Sequence, residues 1–230
     1  MSYVLAPLQH ASVPVKGSSL RFPVRRIYCV GRNYNDHVVE MGGVPGREPP
    51  FFFQKPADAI LLSGEFPYPS ESINVHFEVE LVVALQSGGK NISIANVSDH
   101  IYGYAVGIDM TRRDLQAEAK KLGRPWEVAK AFDHSAPISD IMPKSEIGNL
   151  ERADISLHVN GVQKQHSNTS EMIWKVPEIV VELSKLFELH AGDIIFTGTP
   201  SGVGPVEVGD SLSAAIANIG ELNLRVCKPS

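Results

Sequence analysis

Cysteine is nearly absent. Two cysteines in 230 residues, at positions 29 and 227, exclude a disulfide framework and suit reduced thiols in a cytoplasm. An excess of basic charge is lacking too. The chain has 21 Lys and Arg against 26 Asp and Glu, a net charge of −5, and no basic block, so the electrostatic footprint of a nucleic-acid binder is missing. No apolar run approaches the roughly 18–20 residues that span a bilayer, and residues 1–7 have neither the basic stretch nor the long apolar stretch of a leader. The expectation is a soluble cytoplasmic protein whose partners are small molecules, with no nucleic acid and no membrane among them. Charged residues are only 20% of the chain, which argues against a coiled coil or a disordered tail, while 43% hydrophobic content can build the core of one domain.

What is present is a succession of short strands punctuated by turns. β-type runs are expected over 26–30, 51–54, 75–85, 101–109, 194–196, 211–217 and 222–226, and Asn160-Gly161 reads as a two-residue hairpin turn that needs positive φ. Helices are expected over 34–41, stopped by Gly42-Gly43, and over 112–122, stopped by Gly123 and Pro125. The clearest helix opens at Pro177, with Ile179, Val180, Leu183, Leu186 and Phe187 on one buried face. Between 43 and 50 the sequence is turn chemistry throughout, read as a mobile loop. No repeat is detectable. The pattern favours α+β with strands dominant over a regular βαβ succession.

Several polar residues stand out against this background. In His76-Phe77-Glu78-Val79-Glu80-Leu81, strand periodicity turns Glu78 and Glu80 to the same side of an apolar element. Paired anions there call for a cation, and a hard divalent ion is the simplest; an edge strand with a solvated acidic face is the competing reading. Asp109 ends an apolar strand before a helix, placed either to cap the helix or to bind an ion. Arg113 and Gln116 share a helix face, fit to grip a carboxylate or to sit on the surface. His37 and Glu40, also three apart on a helix, can form a base pair in which the carboxylate orients the imidazole, or a solvated ion pair. Lys130 is a lone cation among apolar neighbours, where a snorkelling surface lysine is the ordinary reading. Thr197-Gly198-Thr199-Pro200 lacks the Gly-Lys-Ser/Thr ending of a phosphate cradle, and neither a Gly-x-Ser-x-Gly elbow nor a Cys/His metal spacing occurs.

Taken together and in order, Gly31-Arg32-Asn33-Tyr34 with His37 and Glu40, His76-Phe77-Glu78-Val79-Glu80, Asp109-Met110-Thr111, Lys130 and Thr197-Gly198-Thr199-Pro200 resemble the fumarylacetoacetate hydrolase family. The resemblance runs from about residue 26 to 226. It implies a mixed β-sheet roll forming one catalytic domain over 26–230, with 1–25 as an N-terminal extension packed on it, assembled as a homodimer. It also implies Mg²⁺ or Mn²⁺ on Glu78, Glu80 and Asp109, a catalytic set of His37, Glu40 and Lys130, and a 2-oxo acid substrate held by Arg113, Gln116 and Thr199. Phe77 departs from the second His frequent before the first Glu. The stretch Arg47 to Phe53 and Lys55 to Ala59 resembles acylpyruvate hydrolases, fumarylpyruvate hydrolases of gentisate degradation in particular. Oxaloacetate decarboxylases and 2-oxo-acid isomerases or hydratases on the same metal site are the alternative. A fumaryl group needs a cation at the far end of its pocket; Arg47 is the candidate, with Arg32 and Lys175 as substitutes. Residues 37–50 are expected to act as a lid carrying the base.

Overall fold

The computed structural model describes residues 3–6, 10–147, 150 and 152–229. Its framework is two stacked sheets. The first has six strands in the order Met142–Pro143, Ile101–Ile108, Val79–Leu85, Asp193–Phe196, Arg26–Val30 and Phe52–Lys55. All neighbours are antiparallel except Asp193–Phe196 with Arg26–Val30, which run parallel. The second has five strands in the order Val162–Asn168, Asp154–Val159, Ser211–Ile216, Gly220–Cys227 and Glu65–Pro67. The fold is α+β and strand-dominated, as the sequence predicts.

Each face of the first sheet has its own core. Leu81, Val83, Leu85 and Val106 meet Ile155, Leu157, Leu212 and Leu224 of the second sheet. On the opposite face Val82, Ala84, Ala105, Ile194 and Phe196 pack with Val13, Val15, Phe22 and Val24 from the hairpin of Ser12–Pro14 and Arg21–Pro23. A strand covered on both sides must be apolar in both phases of its alternation, and every residue of Val79–Leu85 is buried. Glu80 therefore does not lie on a solvated edge; its strand is central.

Three local expectations change. The 75–85 run is two strands, Val75–Phe77 and Val79–Leu85. Glu78 stands at the break, where its carbonyl accepts from the Asp109 N–H at 2.8 Å. The helix Val176–Leu186 buries Ile179, Val180 and Leu183, but Leu186 is 64% exposed. Phe187 lies beyond the helix in extended conformation and packs on the Tyr28 ring at 5.2 Å. Asp109 does not cap the helix Arg113–Leu122, whose first turn has no side-chain cap. The Asn160-Gly161 turn forms as predicted, with φ of 51° and 79°, and Gly123 closes its helix in the left-handed region at φ 63°.

Candidate active site

The strand Asp193–Phe196 ends beside Val82, but its ladder continues in another form. The Thr197 hydroxyl donates to the Leu81 carbonyl at 2.9 Å and the Thr199 hydroxyl to the Val79 carbonyl at 2.7 Å. The Thr197 N–H reaches the same Leu81 carbonyl at 3.0 Å, so two threonine hydroxyls extend the ladder, and Gly198 between them aims its N–H at Glu80 Oε2, 2.7 Å away. Gly198 has φ +95°, and a Cβ there would lie 2.6 Å from that of Asn33. Asn33 is fully buried and holds this corner: it donates to the carbonyls of Thr197 and Trp174 and accepts from the Trp174 N–H. Because the Thr199 proton is committed to Val79, its hydroxyl steadies the strand that carries Glu80.

Glu78, Glu80 and Asp109 converge from the strand break, the central strand and the end of Ile101–Ile108. Each offers an oxygen within 4.8 Å of the others, and all three are buried. They are met by three cations. Lys130 is 3% exposed and donates to Glu78 Oε2 at 2.8 Å, Asp109 Oδ2 at 2.7 Å and the Thr111 hydroxyl at 2.6 Å. It is an internal ammonium, not a snorkelling one. Arg113 donates to Glu78 Oε1 and, at 2.6 Å, to Gln116 Oε1, leaving its buried Nε without a partner. Lys55, which local sequence did not single out, lies 2.8 Å from Asp109 Oδ1 and is buried. That contact falls outside hydrogen-bond geometry, so Asp109 Oδ1 remains an unbonded acceptor.

The two glutamates titrate apart. Burial pushes the Glu78 carboxyl up, but the Lys130 and Arg113 charges outweigh this and hold it well below the usual carboxylate range. Burial and the Asp109 and Glu78 anions drive Glu80 well above that range, against the Gly198 hydrogen bond. Three buried carboxylates whose charges oppose one another suit a site that binds a cation. The donor set, oxygen only, suits a hard divalent ion.

His37, only 5% exposed, lies on the short helix Asn35–Glu40. Its Nδ1 is 3.0 Å from Glu40 Oε2. Since a carboxylate only accepts, Nδ1 carries the proton and Nε2 is left as the basic nitrogen. Glu40 is fixed in turn by the Gly202 N–H on Oε1 at 2.9 Å. When protonated, His37 adds to the charges that depress Glu78.

Two further residues frame the site. Gln165, fully buried, reaches over from the second sheet: it accepts from the Val79 N–H and donates to the Thr199 hydroxyl and the Pro200 carbonyl. Its sequence neighbours Gln163 and Lys164 are exposed, so nothing local distinguishes it. His76 is held down to about 4 by burial and by Arg113, and stands in the neutral form on Asn74 Oδ1 at 2.9 Å.

Arg47 and Lys175 are placed elsewhere. Arg47 pairs with Glu178 and stacks on Trp174, its guanidinium 4.2 Å from the ring centre. Lys175 donates to the Met172 and Ser170 carbonyls at 2.6 and 2.5 Å. Both line a cavity of about 940 Å³ whose walls include none of the three carboxylates. As the far-carboxylate partner, Arg47 is therefore out of position here: its charge is already answered by Glu178.

A buried carboxylate triad beside a hydrogen-bonded His/Glu pair, set at one end of stacked β-sheets, defines a class of enzyme site built on oxygen-donor ligands. Residues 26–227 match the family described as Fumarylacetoacetate (FAA) hydrolase C-terminal, and the chain belongs to the fumarylacetoacetate hydrolase family. A fumarylpyruvate hydrolase from Pseudomonas aeruginosa, solved in complex with Mn²⁺ and pyruvate, is 50% identical. It superposes with a TM-score of 0.96 over 99% of this chain and 100% of that one. An oxaloacetate tautomerase from Escherichia coli is 42% identical across 86% of this chain and 91% of its own length. A mitochondrial oxaloacetate decarboxylase from Dictyostelium discoideum is 41% identical across 85% and 90% respectively. Among the described residues no helix is long and apolar enough to cross a membrane.

Proposed function

We propose that this protein is a metal-dependent hydrolase that cleaves the carbon–carbon bond of a 2,4-dioxo acid, with fumarylpyruvate cut to fumarate and pyruvate in aromatic-compound degradation. The observation that carries this reading is the likeness to the Pseudomonas enzyme, 50% identical over essentially the whole of both chains. The reading includes a cytoplasmic homodimer whose catalytic domain spans 26–230, with 1–25 as an extension.

Glu78, Glu80 and Asp109 would hold Mg²⁺ or Mn²⁺, which supplies Lewis-acid polarisation of the substrate's 1-carboxylate and 2-oxo oxygens. Arg113, steadied by Gln116, would answer the charge of the same carboxylate. His37 Nε2 takes a proton from water as the oxygen adds to the C4 carbonyl, and Glu40 holds the imidazolium that results. The C3–C4 bond then breaks, its electron pair passing to C3 and the 2-oxo oxygen, while C4 leaves as the carboxyl group of fumarate. Lys130, charged and fixed by two carboxylates, stabilises negative charge developing on oxygen. The C3 carbon finally takes the proton held by the His37 imidazolium, giving pyruvate and restoring the base.

A second reading is supported by the Escherichia coli and Dictyostelium relatives, whose names specify oxaloacetate tautomerisation and decarboxylation. Neither reaction adds water to a carbon–carbon bond. The deciding experiment compares kcat/KM for fumarylpyruvate, acetylpyruvate and oxaloacetate in wild type and His37→Ala. The hydrolase reading expects acylpyruvate cleavage to dominate and to fall by about 10²–10⁴ in the variant. Oxaloacetate turnover that exceeds it and survives the substitution refutes the reading.

A further inference from the structure

The helix Arg113–Leu122 presents more than Arg113 and Gln116 to the site. Lys120 follows at i+7, two turns on and so on the same side, about 10 Å further from the Glu78 end. Its Nζ lies over the Trp126 ring, 5.1 Å from the centre. Trp126 meets Phe51 edge to face at 5.5 Å, and the Arg32 guanidinium lies 5.9 Å from the centre of the Phe51 ring. Two cations thus stand at the two ends of one aromatic pair. The same pair leads back to the carboxylate cluster: Trp126 also touches Phe53 at 6.0 Å, and Lys130 Nζ is 5.2 Å from the Phe53 ring centre.

Charge is what makes the placement informative. Glu78, Glu80 and Asp109 are matched by Lys55, Lys130 and Arg113, so the inner cluster is balanced within itself. Arg32 and Lys120, by contrast, have no carboxylate within 4.0 Å among the described residues. Lys120 is lowered by partial desolvation of its ammonium and by the neighbouring Arg113 and Arg32 charges, a mutual repulsion that an anion between them would relieve.

We propose that Arg32 and Lys120 form the distal subsite of this enzyme, binding the carboxylate at the far end of the acyl group while Phe51 and Trp126 cover the flat conjugated chain between. This rests on the acylpyruvate reading above and names its preferred substrate class: acyl groups ending in a second carboxylate. A fumaryl group is rigid and planar, so its far carboxylate lands at a fixed reach, where an Arg fork and a Lys point charge replace its lost hydration. An acetyl group carries no second carboxylate and gains nothing from them.

The test is the ratio of kcat/KM for fumarylpyruvate to that for acetylpyruvate in wild type, Arg32→Gln, Lys120→Gln and the double variant. The subsite predicts a wild-type preference for fumarylpyruvate and a ratio that falls at least tenfold in the double variant, with Arg32→Lys keeping part of it. Inhibition by the product fumarate should weaken in parallel, while inhibition by pyruvate, which leaves the distal end empty, should not. Both side chains are exposed, so the variants are expected to fold, and the pyruvate inhibition constant reports an intact inner site. A ratio that stays within twofold of wild type, with both substrates cleaved, overturns the subsite and leaves the hydrolase reading standing. A wild type that cleaves neither substrate overturns both.

Discussion

Lys55 Nζ stands 2.8 Å from Asp109 Oδ1, with neither side chain open to solvent. The strand Phe52–Lys55 pairs with Arg26–Val30 at the rim of the six-stranded sheet, and its last residue carries an ammonium inward to a carboxylate that ends another strand. Lys55 also donates to the Met110 carbonyl at 3.3 Å and to that of Lys130, so one cation ties together the segments bearing Asp109 and Lys130.

Replacing Lys55 by Met removes one of the two cations that face the buried Asp109 carboxylate, and breaking such a buried pair typically costs about 3–5 kcal/mol. Urea unfolding of Lys55→Met should show a loss of that order without metal. Added Mn²⁺ should restore part of it, because a cation on the triad answers the same charge. A midpoint equal to wild type, or one indifferent to Mn²⁺, contradicts this account.

Burial and the neighbouring anions push the Glu80 carboxyl up and favour its protonated form, so in the proposed metal site cation binding should release protons and tighten as pH rises. Titrating Mn²⁺ into EDTA-treated protein should give weaker binding in Glu80→Ala and Asp109→Asn. The loss should exceed the roughly 10- to 100-fold typical of removing an outer partner of a ligand. Unchanged affinity in Glu80→Ala removes it from the ligand set.

Gly198→Ala tests the corner that aims the Glu80 carboxylate. The positive φ and the approach to Asn33 leave no room for a methyl group, and Asn33 is held by three hydrogen bonds. Backbone strain alone should destabilise the fold by about 1–3 kcal/mol. Mn²⁺ binding should weaken in the same variant, because the N–H that fixes Glu80 is displaced. Wild-type Mn²⁺ affinity in a destabilised Gly198→Ala would separate the corner from the site.

The loop after His37 is docked rather than loose in this structure. The Trp174 indole donates to the Glu48 carbonyl at 3.0 Å, and Arg47 bridges Trp174 and Glu178. These contacts are few and at the surface, so they should break and reform readily. If residues 37–50 act as a lid over the base, oxalate with Mg²⁺ should raise their hydrogen-exchange protection and Arg47→Ala should lower it. Equal protection with and without oxalate argues against closure.

The sequence by itself determined the elements and the chemistry on them. Apolar alternation set the strands, Asn160-Gly161 the hairpin, Gly123 a helix end, and the spacing of His37 with Glu40 a pair that needs only one helical turn. These are local properties, fixed by backbone sterics and side-chain period. Which strand is central and which is an edge is a different matter, since it depends on what covers each face. That decided whether Glu80 would be solvated or buried, and whether Lys130 would snorkel or turn inward. Gln165 and Lys55 reach the site from distant segments, so no local pattern marks them. Arg47 shows the reverse case: an unpaired charge in sequence, already paired with Glu178 in space, because charge balance is settled by neighbours far along the chain and close in the fold.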